Sequence, residues 1–450
     1  MKDTICAIST PPGIGGIAVL RVSGQEAKAI VSRILKSHKK TFEHGKFFHT
    51  YIRDPGTDEV VEEAIISYFQ SPNSFTGEDV IEISVHGGLY SPQVVLDLLI
   101  KNGARLAEPG EFTKRAFLNG KMDLLQVQAL LDLIKAHSEL QIKFAISKLR
   151  GDLSKKLSQA RDLLFELIKE TEARVEFEED IPPIELPEIE RVLKEIISNL
   201  DRLLEEGERN ALVFEGVQVV IAGKPNVGKS SLFNQLVRME RAIVTPVPGT
   251  TRDLIHEEFF LDGIPVRLYD TAGLRKVSEP VESIGVRKAE EIINNAHFVL
   301  FLIDSSSPLT DEDITLWKNL KKDRITVINK IDLGEKVNID TLENSDKYPT
   351  VKVSCLTGQG IHSLEETMKE YVKKYLVPAS EISLSKRERH LLRAMKNELS
   401  EALENLNTVP LDIISFYLQN AFNYINEIYG WGDMPDRVLN SIFNEFCVGK

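Results

Sequence analysis

The fold of the central part of this chain is decided by one octet, Gly223-Lys224-Pro225-Asn226-Val227-Gly228-Lys229-Ser230. It matches the pattern G-x-x-x-x-G-K-[ST], follows an apolar run at Val217–Ala222 and precedes a stretch of helical character at Ser231–Leu236. A strand, a glycine-rich turn and a helix in this order form a loop whose main-chain N–H groups close around phosphate oxygens. The octet therefore predicts a phosphate-binding loop, with a chance match in an ordinary glycine-rich turn as the alternative.

The residue types in this loop predict individual roles. We expect the Lys229 ammonium to reach the β- and γ-phosphates of a nucleotide, and the Ser230 hydroxyl to bind Mg²⁺. The loop and the first helical residues supply the predicted nucleotide contacts on this side, which are Asn226, Val227, Gly228, Lys229, Ser230 and Ser231.

Four further short motifs follow in the order expected of a GTP-binding protein: Gly249-Thr250-Thr251, Asp270-Thr271-Ala272-Gly273, Asn329-Lys330-Ile331-Asp332 and Ser354-Cys355-Leu356. The first offers a hydroxyl to Mg²⁺ or to the γ-phosphate, and we predict that Thr251 is catalytic together with Lys229. The second places Asp270 at the carboxyl end of a strand, where phosphate sites form in such sheets. The residues of these two motifs that we expect to contact nucleotide or metal are Thr250, Thr251, Asp270, Thr271, Ala272 and Gly273.

The last two motifs predict that the base is guanine. A carboxylate at Asp332 can accept hydrogen bonds from the guanine N1–H and N2–H₂ groups, and adenine would leave it unpaired. Asn329 and Lys330 belong to the same predicted contact set, and the Ser354–Cys355 main chain can donate an N–H to guanine O6. All five motifs in this order resemble the translation-factor-like class of GTPases, and they predict a GTP-hydrolysing enzyme.

Two departures from the familiar Ras pattern affect the expected mechanism. Leu274 follows Asp-Thr-Ala-Gly where Ras-like proteins have a glutamine, so another group must orient the attacking water. Asn226 lies inside the phosphate loop, where its side-chain oxygen could help to hold a monovalent cation. The alternative is a loop asparagine that bonds only to its own backbone, and the sequence does not decide between the two.

The periodicity of apolar residues predicts a multidomain chain. Residues 1–118 have the mixed pattern of an N-terminal α/β (α+β) domain, with strands expected at Ile17–Val22, Ile65–Phe69 and Val80–Val85 and a helix at Ser91–Lys101. Residues 119–210 form the first part of a helical domain, residues 211–378 an inserted α/β domain with a parallel sheet covered on both faces, and residues 379–450 the second helical part. In the first helical part, Leu149, Leu153, Leu157, Ala160, Leu164 and Leu167 predict one face of a single long helix.

The composition of the chain indicates which partners and which cellular compartment to expect. With 55 basic and 68 acidic residues the net charge is −13, which argues against a general polyanion binder but not against a local basic patch. Three widely spaced cysteines show no metal or disulfide pattern, which is typical of a reducing intracellular compartment. The N-terminus lacks the apolar segment of a signal peptide and no apolar run approaches membrane-spanning length, so we expect a cytoplasmic protein.

Several stretches outside these motifs carry a more specific resemblance. They are Ser71-Pro72-Asn73-Ser74-Phe75-Thr76-Gly77-Glu78-Asp79, His86-Gly87-Gly88, Arg115-Ala116-Phe117-Leu118-Asn119-Gly120-Lys121 and the terminal Phe446-Cys447-Val448-Gly449-Lys450. With them the chain resembles the bacterial and mitochondrial tRNA-modification GTPases of the MnmE (TrmE) family over essentially its whole length.

The resemblance implies a function and a set of partners. The family installs a carboxymethylaminomethyl or aminomethyl group at C5 of the wobble uridine of certain tRNAs, together with an FAD-containing partner protein. Its N-terminal domain resembles tetrahydrofolate-binding domains, forms a homodimer and holds 5-formyl- or 5,10-methylene-tetrahydrofolate as the one-carbon donor. The positions that match the folate site are Arg21, Glu82, Lys121 and Lys450; from the residues alone, these would be ordinary surface charges.

The resemblance also implies how GTP hydrolysis is activated. The family is stimulated by K⁺ and by dimerisation of its GTPase domains. The matching cation site consists of Asn226 with main-chain oxygens of Thr245, Val247 and Thr250, and the metal set as a whole adds Ser230 and Thr251. The water-orienting carboxylate falls on Glu282, which by itself would be interpreted as a surface charge beside a helix.

The sequence is also compatible with two other classes of function. A ribosome-assembly or regulatory switch GTPase would carry the same five motifs, because a fold does not fix a function. A folate enzyme with a regulatory GTPase insert is a third class. The thiol of Cys447 is either part of the modification chemistry or a small structural residue, and the sequence shows no neighbour that would activate it.

Overall fold

The computed structural model describes residues 3–36, 42–177, 186–239, 256–270, 294–376, 381–432 and 436–450. It divides into two compact units. The first comprises Met1–Lys135, Ala145–Asn199 and His390–Lys450, and the second comprises Ala136–Phe144 and Leu200–Arg389. Among the described helices, none combines the length and the apolar character needed to cross a membrane.

The first unit begins with a six-stranded sheet in the order β3-β4-β5-β2-β1-β6. All pairs are antiparallel except β1 with β6. The strands are β1 (Ile5–Ile8), β2 (Ile17–Ser23), β3 (Phe47–Arg53), β4 (Val60–Phe69), β5 (Val80–His86) and β6 (Arg105–Leu106). Two helices, α1 (Ala27–Ile34) and α2 (Ser91–Lys101), contribute buried aliphatic residues to the same core as the strands. The register pairs Arg21 directly with Glu82, which brings two predicted site residues side by side.

Helices form the rest of the first unit and continue into the second. They are α3 (Glu111–Leu118), α4 (Leu124–Ile134), α5 (Glu139–Leu149), α6 (Asp152–Glu176), α7 (Leu186–Glu215) and, after three helices of the second unit, α11 (Lys386–Asn405), α12 (Leu411–Tyr429) and α13 (Asp436–Phe443). The predicted apolar stripe of α6 is buried from Leu153 to Leu167, and α6 packs along α12.

The prediction of one helix through Leu149 and Leu167 was wrong at its start. Leu149 ends α5, and α6 begins only at Asp152. Gly151 between them has a φ of 81°, in the left-handed region that interrupts a right-handed helix. Leu149 at the end of α5 lies four residues before Leu153 of α6, which is the spacing of one helix face, so spacing alone could not locate the interruption.

The second unit contains a six-stranded sheet in the order β12-β11-β10-β7-β9-β8. Its strands are β7 (Val217–Ala222), β8 (His256–Leu261), β9 (Ile264–Asp270), β10 (Phe298–Asp304), β11 (Arg324–Asn329) and β12 (Thr350–Lys352), and its helices include α8 (Lys229–Met239), α9 (Asp311–Asn319) and α10 (Ile361–Tyr375). Apolar cores lie on both faces of β10, with Leu300 and Leu302 in one and Phe301 and Ile303 in the other.

The predicted parallel sheet is therefore present with one correction. Strands β7, β9, β10, β11 and β12 are parallel, but the edge strand β8 runs antiparallel to β9. A two-residue turn at Asp262–Gly263 joins β8 to β9, and a connection this short permits only antiparallel pairing. The multidomain fold class, with mixed α/β sheets and a large helical part, is confirmed.

Candidate functional site

The phosphate loop joins β7 to α8, as predicted. Lys229 is the first residue of α8, and its Nζ donates hydrogen bonds to the main-chain oxygens of Gly223 (2.9 Å) and Lys224 (2.7 Å). This buried ammonium is thus fixed at the edge of the loop. Ser230 and Ser231 are exposed at the start of the same helix, where the positive end of the helix dipole favours an anion.

The loop closely contacts the base-side motif. A Cβ atom on Gly228 would lie 2.2 Å from Nδ2 of Asn329, so that only glycine permits this approach. Nδ2 of Asn329 donates to the main-chain oxygen of Val227 (2.8 Å), and its Oδ1 accepts from the main-chain N–H of Cys355 (3.1 Å). One buried amide thereby connects three of the predicted motifs.

Lys330 makes a second connection. Its Nζ donates to the main-chain oxygen of Asn226 (2.8 Å) and to the carboxylate of Asp304 (2.6 Å), which also accepts from Ser306. Burial alone would raise the pKa of Asp304, but the hydrogen bonds from Lys330 and Ser306 outweigh it and hold that pKa below its usual value. Asp304 is therefore ionised near neutral pH.

The predicted guanine-recognising carboxylate is oriented by the last motif. The Ser354 hydroxyl donates to Oδ1 of Asp332 at 2.5 Å, while Asp332 itself is exposed at the carboxyl end of β11. Cys355 is buried beside it, and burial together with the nearby Asp332 charge raises the pKa of its thiol to about 11. This cysteine is consequently a neutral packing residue. Its main-chain N–H donates to Asn329 and that of Ser354 donates to the main-chain oxygen of Gln359, so the N–H groups predicted to face guanine are both engaged within the protein.

Part of the predicted set lies outside the described residues. This applies to Thr245, Val247, Thr250, Thr251, Thr271, Ala272, Gly273, Leu274 and Glu282. Asp270 is described in its main chain only, as the last residue of β9, where it pairs with Ile221 of β7. Its place at the carboxyl end of β9 puts it on the same edge of the sheet as the phosphate loop, because β7 and β9 are parallel.

Sequence reasoning missed three charged residues around the loop. Asp304 anchors Lys330, and Asp313 of α9 accepts a hydrogen bond from the Lys224 side chain at 2.8 Å. Lys224 occupies a variable place in the octet, and Asp313 lies 89 residues further along the chain. No spacing signal links positions so far apart; the T-x-x-D pattern of Thr310 and Asp313 predicts a helix start but not this pairing.

The N-terminal sheet carries a second cluster of predicted residues. The Arg21 guanidinium donates to the Glu82 carboxylate from both Nε (3.1 Å) and Nη2 (2.7 Å). It lies 5.5 Å from the ring centroid of Phe75 and 5.7 Å from that of Phe112. Both charged side chains keep some exposure, 18% for Arg21 and 29% for Glu82, so that a ligand can reach the pair.

The last residues of the chain lie against the same part of the unit. The main-chain N–H of Phe112 donates to the main-chain oxygen of Lys450 (3.2 Å), and Ser9 Oγ donates to that of Gly449 (3.0 Å). Phe112 therefore contacts both Arg21 and Lys450. Cys447 is exposed, and its main-chain oxygen accepts from Gly110.

Lys121 is held in place by residues 71–79, the first of the stretches on which the family resemblance rests. Its Nζ donates to the main-chain oxygen of Pro72 (3.0 Å), and the neighbouring Asn119 donates to that of Thr76 (2.7 Å). Behind this segment, the buried Arg115 pairs with Glu78 and Glu111. These contacts fix the loop that presents Phe75 to Arg21.

Comparison with known proteins identifies the chain. The MnmE helical domain model matches residues 124–447, and the model of the N-terminus of the GTP-binding protein TrmE matches residues 4–121. The tRNA modification GTPase MnmE of Alkaliphilus oremlandii is 39% identical over 466 residues, and that of Thermotoga maritima is 40% identical over 455, each match covering all of both proteins. The G domain of the Thermotoga maritima FeoB iron transporter matches 34% of this chain and 98% of its own, with 30% identity and a TM-score of 0.27, which is too low for an inference about fold.

These matches agree with the five motifs in their predicted order. They favour tRNA modification over the ribosome-assembly alternative, since both relatives are named tRNA modification GTPases and match over their full length. The chain is a GTP-binding and GTP-hydrolysing enzyme, and it belongs to the MnmE family of tRNA modification GTPases.

Proposed function

We propose that this GTPase installs a carboxymethylaminomethyl or aminomethyl group at C5 of the wobble uridine of certain tRNAs. In this proposal it works in the cytoplasm as a homodimer, with an FAD-containing partner protein and a tetrahydrofolate one-carbon donor. One observation carries the folate part: Phe112 contacts the guanidinium of Arg21 and also donates its main-chain N–H to Lys450. Three positions that the family resemblance assigns to the ligand are thereby joined through one residue and the Arg21–Glu82 pair.

The chemistry of these residues fits a folate. A carboxylate such as Glu82 suits the donor edge of a pterin, and the cations of Lys121 and Lys450 suit the carboxylates of its glutamate tail. Phe75 beside Arg21 adds an aromatic surface against which a flat ring can pack. A bound folate would supply a one-carbon unit, while these side chains would bind and orient it.

The nucleotide side of the proposal rests on oxygen ligands. We assign Mg²⁺ to the Ser230 hydroxyl with Thr251, and K⁺ to Asn226 with main-chain oxygens of Thr245, Val247 and Thr250. The exposed Asn226 has a φ of 64°, and its main-chain oxygen accepts from Lys330, which leaves the side-chain amide free of that contact. These cations would neutralise phosphate charge, and Glu282 would orient the attacking water when two GTPase domains associate.

The experiment that tests the tRNA and folate parts is mass spectrometry of wobble uridines. Cells lacking the protein would receive the wild-type chain, a Glu82→Gln variant or a Glu63→Gln control, which makes the same change at an exposed site on β4. We expect wild type and control to restore the C5 modification and Glu82→Gln to leave the uridine unmodified. Purified Glu82→Gln should hydrolyse GTP at the wild-type rate but bind tetrahydrofolate at least ~10-fold more weakly, because a charged hydrogen bond is lost. Full restoration by Glu82→Gln would refute the folate assignment.

The cation and water assignments need a separate measurement. GTP hydrolysis by the full chain should be faster in KCl than in NaCl, and Asn226→Ala should remove most of that difference. Glu282→Ala should lower hydrolysis at least ~10-fold with little change in GDP affinity, as expected for a residue that acts only in the reaction. Glu279→Ala serves as the matched control. Equal rates in both salts, or an equal loss of affinity in Glu282→Ala, would contradict these roles.

A further inference from the structure

A buried ion pair connects the phosphate loop to helix α9. Nζ of Lys224 lies 2.8 Å from Oδ2 of Asp313, whose side chain is fully buried, while the Lys224 side chain is 17% exposed. Lys224 is the second residue of the predicted loop octet, and its own main-chain oxygen accepts the hydrogen bond from Nζ of Lys229 at 2.7 Å. We propose that Lys224 is a positioning residue for GTP hydrolysis: its ion pair with Asp313 fixes the loop main chain that holds the Lys229 amino group.

The carboxylate of Asp313 is held in a fixed position by hydrogen bonds from Thr310. Its Oδ2 accepts from the main-chain N–H (2.9 Å) and the hydroxyl (2.7 Å) of Thr310, in the capping box that begins α9. Its Oδ1 is buried without a hydrogen-bond partner among the described residues, where Lys224 is also the only cation that pairs with this carboxylate. A buried carboxylate that depends on one cation holds that cation firmly, because separating them leaves an uncompensated charge.

The Lys224–Asp313 ion pair supports the phosphate side of the nucleotide site. The base-side residues hold the loop elsewhere, through Lys330 on the Asn226 oxygen and Asn329 on the Val227 oxygen. Lys224 instead supports the oxygen that receives Lys229, the residue expected at the β- and γ-phosphates. Loss of the pair should therefore slow hydrolysis more than it weakens binding of GDP, whose guanine contacts remain. This inference needs only GTP hydrolysis and is independent of the proposed tRNA and folate chemistry.

The test compares variants of the full chain by single-turnover GTP hydrolysis and by equilibrium binding of a fluorescent GDP analogue. Lys224→Met should lower the hydrolysis rate at least ~10-fold and change GDP affinity less than ~3-fold, since a small displacement of a catalytic group has a large effect on rate. Lys224→Arg, which keeps the charge, should retain the rate within ~3-fold. Lys318→Met makes the same change on an exposed residue of α9 and should match wild type.

A double variant separates positioning from simple stability. Lys224→Met with Asp313→Leu removes both charges, so it should recover thermal stability relative to Lys224→Met alone. The proposal expects its hydrolysis rate to stay low. A wild-type rate in Lys224→Met, or a rate that returns fully with stability in the double variant, would overturn it. If Lys224→Met does not fold, the double variant and Lys224→Arg carry the test: a low rate in the folded double variant supports the proposal, and a wild-type rate refutes it.

Discussion

The amino group of Lys330 lies 2.8 Å from the main-chain oxygen of Asn226, to which it donates a hydrogen bond. Lys330 belongs to the motif that we predict to recognise the base, and Asn226 belongs to the phosphate loop. A single side chain thus connects the two ends of the nucleotide site. The carboxylate of Asp304, 2.6 Å from the same nitrogen, holds that side chain in place.

We expect Lys330→Met to weaken nucleotide binding. The change removes two hydrogen bonds made by a charged donor, each contributing roughly 1.5–3 kcal/mol, and it leaves Asp304 without its cation. Because both bonds are made in the protein without nucleotide, only part of this free energy affects binding, and the affinity for a fluorescent GDP analogue should fall at least ~10-fold, which is about 1.4 kcal/mol. Lys336→Met, an exposed neighbour, is the control. Affinity within twofold of wild type would show that the connection has no energetic importance.

Asp332→Asn should change the base that the site accepts. The Ser354 hydroxyl orients this carboxylate at 2.5 Å, and we predict that the carboxylate accepts from two donors on guanine. An asparagine amide presents a donor in place of one acceptor, which suits xanthine, whose C2 carries an oxygen. We expect GDP affinity to fall at least ~100-fold and XDP affinity to rise, because buried polar groups left unpaired are costly. Competition of GDP and XDP for a fluorescent nucleotide measures both. An unchanged preference for GDP would remove Asp332 from base recognition.

The sequence predicted the parts of this site that are local in the chain. The strand Val217–Ala222 and the helix Ser91–Lys101 have the predicted boundaries. Pro92 in the first turn of the helix explains why its start could be located from the sequence. Motifs that follow a strand are positioned by the sheet itself, so Asn329 and Ser354 could be placed beside the phosphate loop without a structure.

The sequence could not reveal partners that only the fold brings together. Asp313 and Arg115 resemble ordinary surface charges in a chain that is 27% charged, yet both are buried and paired. Their burial depends on which residues pack around them, at distances of up to 112 positions along the chain. The edge strand β8 was missed for a related reason, since its two adjacent glutamates at Glu257–Glu258 interrupt the apolar run that marked the other strands.

Arg115→Met should destabilise the first unit. Arg115 is 1% exposed and pairs with Asp3, Glu78 and Glu111. Removing Arg115 leaves Glu78 without its cation, while Arg105 still pairs with Asp3 and Glu111. Loss of one partner of a buried ion pair costs roughly 3–5 kcal/mol. Scanning calorimetry of the full chain should therefore show a transition several degrees lower. Lys101→Met, on an exposed lysine at the end of α2, should change it little. An unchanged transition in Arg115→Met would mean that the carboxylates find other partners.

The same cluster predicts a dependence on pH. Burial alone would raise the pKa of Glu111, but hydrogen bonds from Arg105, from the main chain of Glu108 and from Arg115 outweigh it and hold that pKa below 4.5, its ordinary value. A carboxyl whose pKa is lower in the folded state contributes stability that is present above the unfolded pKa and is lost as the pH falls through the folded one.

Glu111→Gln removes this contribution. We expect the variant to be less stable than wild type at pH 7, and the difference in transition temperature to shrink as the pH falls below about 4.5, because wild-type Glu111 then becomes neutral as well. Calorimetry of both proteins from pH 7 to pH 3.5 measures this convergence, with Glu43→Gln as an exposed control. A difference that stays constant across the range would show that Glu111 stabilises the unit through packing and not through its charge.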